Sequence, residues 1–290
     1  MLFPYFGAKS KAAPVVWELL GDLELYVEPF AGSLAVLLNR PTPPRTEIAV
    51  DLDGLLVNFW RTIQHDWRAM EPYFSLAVSE VDVRAKHAAL INARSSLTEK
   101  LDDVHYFDSE LAAWWWEGIS SWLGSGYGWR MSRQRPHIDR SLKGAWAKGM
   151  TDEKISRVAD RLGNVIILSG DWQDAWKRSV TEAIINRFNR GVGVFLDPPY
   201  MGDRAKGLYA EDLHLNEEVS DWCLRQPRHV KIVLAGYADE YPALLKAGWE
   251  AIEWKAPNGY AGKTNSRRQG EALLVRRKRV VSRGASSVPS

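Results

Sequence analysis

A chain of 290 residues with 46% hydrophobic and 26% charged residues has enough apolar mass for a sizeable core and is not a disordered polymer. Its single cysteine, Cys223, excludes an internal disulfide, and a net charge of +2 means that any charged face is local, not global. No apolar stretch reaches the roughly 18–20 residues of a membrane span, and Met1–Lys11 lacks the layout of a secretory signal, so a soluble, cytoplasmic chain is expected.

Leu25–Phe30 reads as a short buried strand, followed by the small-residue turn Ala31-Gly32-Ser33 and an apolar segment, Leu34–Asn39, able to start a helix. Pro41, Pro43 and Pro44 break that helix. Thr46–Val50 is a second strand ending at Asp51, and Leu55–Ile63 continues as a helix. Strand, glycine turn, helix, strand, acid is the opening of a nucleotide-binding βαβ unit. Neither G-x-G-x-x-G nor G-x-x-x-x-G-K-[ST] is present, so the looser turn suits a ligand without phosphates. Asp51 ends its strand where an acid can accept hydrogen bonds from ribose hydroxyls.

From about Trp67 to Met150 strand signals fade and helical stretches such as Val81–Ala93 appear. Residues 67–150 are therefore expected to be a helical insert between two parts, 1–66 and 151–280, of one α/β catalytic domain. Leu111–Trp129 is rich in tryptophan and glycine, and Trp114, Trp115, Trp116 and Trp122 are expected to form the insert's small core. Between Trp129 and Met150, Arg130, Arg133, Arg135, Arg140, Lys143 and Lys148 face a single acid, Asp139, a balance suited to phosphates. Arginine can read guanine and glutamine can read adenine, so Arg130, Arg133, Gln134 and Arg135 are candidate DNA contacts. His137 has no ligand spacing around it, and no metal site is expected.

The α/β pattern resumes with a strand at Val165–Leu168 ending in Ser169-Gly170-Asp171, another at Val192–Leu196 ending in Asp197, and a third at Lys231–Ala235. A helix over Glu240–Ala247 and an antiparallel pair, Glu250–Lys255 with Ala272–Arg276, close the pattern. The polar loop Gly259–Gln269 between the last two carries Lys263, Arg267 and Arg268, a second candidate DNA-contacting group, and residues 281–290 read as a frayed tail.

The sharpest motif is Asp197-Pro198-Pro199-Tyr200, delivered by an apolar strand at the edge where open α/β sheets bind ligands. An exocyclic amine on a nucleobase is a poor nucleophile because its lone pair is delocalised into the ring. Two acceptors aimed at its hydrogens, the Asp197 carboxylate and the Pro198 carbonyl, would localise that pair. Pro198 and Pro199 stiffen the loop, and Tyr200 offers a face for a base rotated out of a duplex.

Pro4-Tyr5-Phe6-Gly7-Ala8-Lys9, Glu28-Pro29-Phe30-Ala31-Gly32-Ser33 and Asp197-Pro198-Pro199-Tyr200, in this order around a central insert, resemble the Dam-like, class-alpha DNA adenine-N6 methyltransferases. The likeness spans roughly residues 3–275 and rests on these three short motifs; the tryptophan and second glycine usual in the first are replaced by Tyr5 and Ala8. It implies a Rossmann-like, seven-stranded methyltransferase sheet with an inserted helical target-recognition domain. S-adenosylmethionine would be the cofactor, double-stranded DNA the partner, and a cognate restriction endonuclease a candidate second partner. It implies cofactor contacts from Tyr5, Phe6, Lys9, Glu28, Pro29, Phe30, Gly32, Ser33, Asp51, Asp171, Trp172 and Asp197, and catalysis by Asp197, Pro198, Pro199 and Tyr200. With Cys223 outside the motifs, no covalent enzyme intermediate is expected. Cytosine N4, RNA adenine or glutamine amides as acceptors, and a silent DNA-binding scaffold, are the competing readings.

Overall fold

Leu25-Tyr26-Val27-Glu28 are all buried, the signature of a strand covered on both faces. A computed structural model describes residues 2–3, 9–42, 45–74, 79–123, 127–129, 137–138, 151–177, 191–199, 214–254 and 271–276. Seven strands form one sheet: β1 (Leu25–Glu28), β2 (Thr46–Asp51), β3 (Val165–Ser169), β4 (Val192–Leu196), β5 (Lys231–Tyr237), β6 (Trp249–Glu253) and β7 (Glu271–Arg276). Their spatial order is β3-β2-β1-β4-β5-β7-β6. The first five are mutually parallel, and β7 runs antiparallel to both its neighbours. The winding reverses between β1 and β4, which opens a crevice at the carboxyl ends of these strands. This is the expected Rossmann-like methyltransferase sheet, with its antiparallel closing pair.

Alternation along the strands divides the core in two. Tyr26, Ala49, Ile167, Phe195 and Val233 face one side of the sheet. Leu25, Val27, Ile48, Val50, Leu168, Val194 and Leu234 face the other. On the first side lie α1 (Ala13–Leu20), α3 (Gly54–Asp66), α4 (Glu80–Lys100), α5 (Ser109–Ser121) and α6 (Asp152–Leu162), with α2 (Ala35–Leu38) joining β1 to β2. The other side holds α7 (Asp174–Lys177), α8 (Leu215–Arg225) and α9 (Pro242–Lys246). No described helix is long and apolar enough to cross a membrane.

Three of the helices, α3, α4 and α6, start where a side chain replaces a missing amide partner. Asp53 accepts from the Leu55 N–H at 3.1 Å, Ser79 from Asp82 at 3.1 Å and Thr151 from Lys154 at 3.3 Å. α1, α6 and α8 are helices beyond those expected from the sequence. Yet α1 buries Ala13, Val16, Trp17 and Leu20 at helical spacing, and α6 opens with Thr151-Asp152-Glu153, a strong start signal.

The tryptophan-rich helix α5 does not enclose a small core of its own. Trp115 and Trp116 are buried against α3 and the N-terminal segment, with Trp115 centred 5.0 Å from Phe3 and 5.2 Å from Phe59, and Trp116 5.3 Å from Phe59. Trp114 is only partly buried. Gly118 on α5 is required by this packing, since a Cβ there would lie 1.9 Å from the Tyr127 ring. Arg61 on α3 is wholly buried and donates to the carbonyls of Ile167, Leu101 and Asp103, tying β3 to the connection between α4 and α5.

Candidate active site at the carboxyl edge of the sheet

Glu28 ends β1 with its side chain buried. One oxygen, Oε2, accepts from the Tyr26 hydroxyl at 3.0 Å and from the Leu37 N–H at 3.1 Å. Burial pushes this carboxyl from its ordinary 4.5 up to about 8; the two hydrogen bonds oppose the shift, while Asp197 and Glu47 add to it. The turn that follows is tight. Gly32 sits at φ 48° and Leu34 at φ 52°, both left-handed. That conformation is natural for glycine but costs a leucine about 1–3 kcal/mol, a strain typical of ligand-binding turns.

Asp51, at the end of β2, holds this turn in place. Its Oδ2 accepts from the Gly32 N–H at 2.8 Å and its Oδ1 from the Asp53 N–H at 2.9 Å. Burial pushes its carboxyl up to about 6, against the pull of the Asp53 and Gly32 hydrogen bonds. A carboxylate has about four lone-pair positions, so the backbone donors Gly32, Asp53 and Leu52 leave capacity for a ligand hydroxyl.

Asp197 follows β4 directly, with Pro198 buried and Pro199 half-buried beside it. Lys9 reaches it from the N-terminal segment: its Nζ lies 2.9 Å from Asp197 Oδ1 and 3.3 Å from Glu271 Oε1. The lysine side chain is only 4% exposed. Burial lowers its pKa, but Asp197 and then Glu271 outweigh this and leave it raised, so the ammonium stays charged. Lys9 was expected to touch the cofactor; its ammonium is placed on the motif aspartate. Glu271, the first residue of β7, was missed by the sequence reading. Its one signal is an acid opening an otherwise apolar strand.

Phe30 stacks on Trp172 with centroids 5.8 Å apart and planes at 20°, and Trp222 meets Trp172 edge-on at 5.9 Å. Trp172 is buried, and its indole N–H has no hydrogen-bond partner among the described residues. Asp171 is exposed; its carboxylate accepts from the Gln173 N–H at 2.9 Å and shapes the turn into α7. Pro29 and Ser33 are buried next to Glu28 and Gly32 in the chain. Cys223 on α8 is buried, and burial pushes its thiol well above the usual range, so it offers no thiolate. The residues Tyr5, Phe6, Tyr200, Arg130, Arg133, Gln134, Arg135, Lys263, Arg267 and Arg268 lie outside the described residues.

The edge therefore gathers Glu28, Asp51 and Asp197 from β1, β2 and β4 around the switch point, with Lys9 and Glu271 closing one side. Residues 5–117 match the family of D12 class N6 adenine-specific DNA methyltransferases. The match covers the N-terminal part of the chain, where it is similar to that family. The D12 match contains Lys9, Glu28 to Ser33 and Asp51 and ends before Asp197. None of the curated proteins matches the chain. Among solved structures it is similar to the rRNA methyltransferase aviRa from Streptomyces viridochromogenes, at 14% identity and a TM-score of 0.36, over 94% of this chain and 86% of that one.

Proposed function

We propose that the chain transfers the methyl group of S-adenosylmethionine to the N6 amine of an adenine flipped out of double-stranded DNA, in the cytoplasm of a bacterium or a phage-infected cell. The observation that carries this reading is the Lys9–Asp197 pair at the carboxyl end of β4, beside Glu28 and Asp51 at the switch point. The donor set fits the cofactor. Carboxyl groups outnumber the described cation there, and two of them are pushed up, which suits a ligand that brings positive charge on a sulfonium and an ammonium. The loose glycine turn and Asp51 suit its nucleoside, and Phe30 with Trp172 suits its base.

When bound, S-adenosylmethionine supplies an electrophilic methyl group. The chain's own work is positioning. Asp197 and the Pro198 carbonyl accept hydrogen bonds from the two N6 hydrogens and draw the lone pair out of the ring, Tyr200 stacks on the flipped base, and the one proton that N6 gives up on methylation passes to solvent. Lys9 fixes the Asp197 carboxylate through Oδ1. Arg130, Arg133, Gln134 and Arg135, from the insert at 67–150, and Lys263, Arg267 and Arg268 supply the DNA contacts.

The test is transfer of labelled methyl from S-adenosylmethionine to unmethylated DNA, with the products digested to nucleosides, and with Asp197→Ala in parallel. Label is expected in N6-methyladenine, with the rate reduced by about 10²–10⁴ in the variant. Label in a cytosine, or only in RNA or protein, would move the acceptor. No transfer to any of them would leave a DNA-binding scaffold.

A further inference from the structure

Asp51, the acid placed to meet the ribose, is fixed through a neighbour that is itself held from elsewhere in the chain. The Asp53 N–H donates to Asp51 Oδ1 at 2.9 Å, and the Asp53 carboxylate caps α3 by accepting from the Leu55 N–H at 3.1 Å. The same carboxylate oxygen, Oδ1, accepts from Arg94 Nη1 at 2.9 Å, across 41 residues of chain. The Asp53 and Arg94 side chains are 13% and 19% exposed, so their attraction is screened less than that of a surface ion pair. Arg94, on α4, is held in turn. Its Nε donates to the Gly128 carbonyl at 3.1 Å, and its guanidinium lies over the Trp129 ring, 4.0 Å from the centroid. Gly128 donates its own N–H to His87 Nδ1 at 2.9 Å and sits at φ 75°. A Cβ there would lie 2.9 Å from Leu55 Cδ1, so the position is built for glycine.

We propose that Arg94 is a positioning residue for the cofactor: by holding and neutralising the Asp53 carboxylate, it keeps Asp51 fixed and anionic toward the ribose hydroxyls. The inference rests on the methyltransferase reading above. Burial lifts the Asp51 carboxyl to about 6 against its backbone hydrogen bonds, and the negative charge of Asp53, two residues away, adds to the lift. The Arg94 cation offsets that addition. Without it, Asp51 takes up a proton at a higher pH. The proton occupies an oxygen lone pair that the Gly32, Asp53 and Leu52 donors leave to the ligand, and a charge-assisted bond becomes a neutral one. The other charged groups along this edge are Glu28, Asp197, Lys9 and Glu271, with the exposed Asp171 beyond β3, while His87 stands behind Gly128. A substitution at Arg94 leaves all of them in place, so their titration is common to wild type and variants.

The experiment measures the affinity for S-adenosylhomocysteine by calorimetry between about pH 5 and pH 7.5, below the range in which Glu28 titrates. The proteins are the wild type, Arg94→Gln, Arg94→Lys and Asp53→Asn, and melting temperatures at each pH confirm that they are folded. Wild-type affinity is expected to fall about tenfold toward the acid end, the difference between a charge-assisted and a neutral hydrogen bond, with a bend at about pH 6. Arg94→Gln moves the bend up by about half a pH unit or more and leaves the affinity at the upper end within about threefold. Arg94→Lys keeps the cation but loses the fork and the flat face, and restores the wild-type bend. Asp53→Asn, which retains a capping side chain, moves the bend down. An unmoved bend in Arg94→Gln, a loss of affinity equal at every pH, or an Arg94→Lys bend displaced as far as that of Arg94→Gln would overturn the proposal. Should Arg94→Gln not fold, Asp53→Asn carries the test: a bend that moves down supports the link, and one unmoved or raised overturns it. A wild-type affinity level across the range would also overturn it and leave the methyltransferase reading standing. A wild type that binds no S-adenosylhomocysteine would refute the cofactor reading, and this role of Arg94 with it.

Discussion

Two buried glutamates on adjacent strands show how one sheet separates structure from function. Glu47, near the amino end of β2, is 1% exposed and sits between Arg40, at 3.1 Å, and Arg161, at 2.9 Å. Arg40 also donates to the Leu23 carbonyl, and Arg161 to that of Leu37. The cluster ties β2, α2 and α6 together, and Asp22, 3.7 Å from Arg40, supplies the second carboxylate for its two guanidiniums. Glu28, at the carboxyl end of β1, is equally buried at 2%, but its partners are a hydroxyl and a backbone N–H. The register places Tyr26 beside Glu47 and Glu28 beside Ala49, so the two acids are neighbours in the sheet with opposite fates. A buried carboxylate surrounded by arginines is finished. Glu28 has no cation beside it among the described residues and lies next to Asp197, where the proposed cofactor would bind.

The largest break in this comparison is expected at the finished end. Glu47→Gln strands Arg40 and Arg161 in the interior and should cost about 3–5 kcal/mol of stability, read as an equilibrium denaturation midpoint, because an unpaired buried charge remains. An unchanged midpoint would show the cluster to be dispensable.

Glu28→Gln sharpens the contrast through pH. The folded carboxyl titrates near 8 and the unfolded one near 4.5, so from 4.5 to 8 the unfolded chain releases a proton that the folded chain keeps. The stability this group contributes is complete below the unfolded value and is lost as pH rises through the folded one. A glutamine, which can still accept from Tyr26 and Leu37, removes that slope. The variant should melt higher than the parent at pH 8 and together with it near pH 4.5, and parallel curves would contradict the assignment.

The smallest effect is expected at Glu271. Glu271→Gln gives Lys9 wholly to Asp197 and weakens Asp197 as an acceptor. Loss of one charge-assisted hydrogen bond, about 1.5 kcal/mol, should lower kcat roughly tenfold. KM for DNA should not change. A rise in KM alone would place Glu271 in DNA binding instead.

How much of this was legible follows from how far apart the partners lie in the chain. β1, its glycine turn, β2 and Asp51 are local, and the apolar runs and turn residues announce them within thirty or so positions. The acids at strand ends could be read because a parallel sheet puts every carboxyl end on one edge. The pairing of Lys9 with Glu271 could not, because β7 enters between β5 and β6 and its neighbours are a matter of topology. The tryptophans of α5 were legible as core but not as core shared with Phe3 and Phe59, since burial says nothing about which element does the burying. Arg94 carried no motif at all; its three partners come from residues 53, 128 and 129.

The position of β7 also bears on how the protein is made. It is the last described strand in the chain but not an edge of the sheet, and it supplies the carboxylate that shares the charge of Lys9, a residue from the far end of the described sequence. A nascent chain can assemble β1 to β5 while Lys9 still lacks Glu271, and β5 presents an open edge until β7 arrives. Completion of this edge of the sheet is thus a late, long-range event, and contacts of such high sequence separation slow folding. Until synthesis passes residue 276, the incomplete sheet is the form most exposed to proteases and to pairing with other chains.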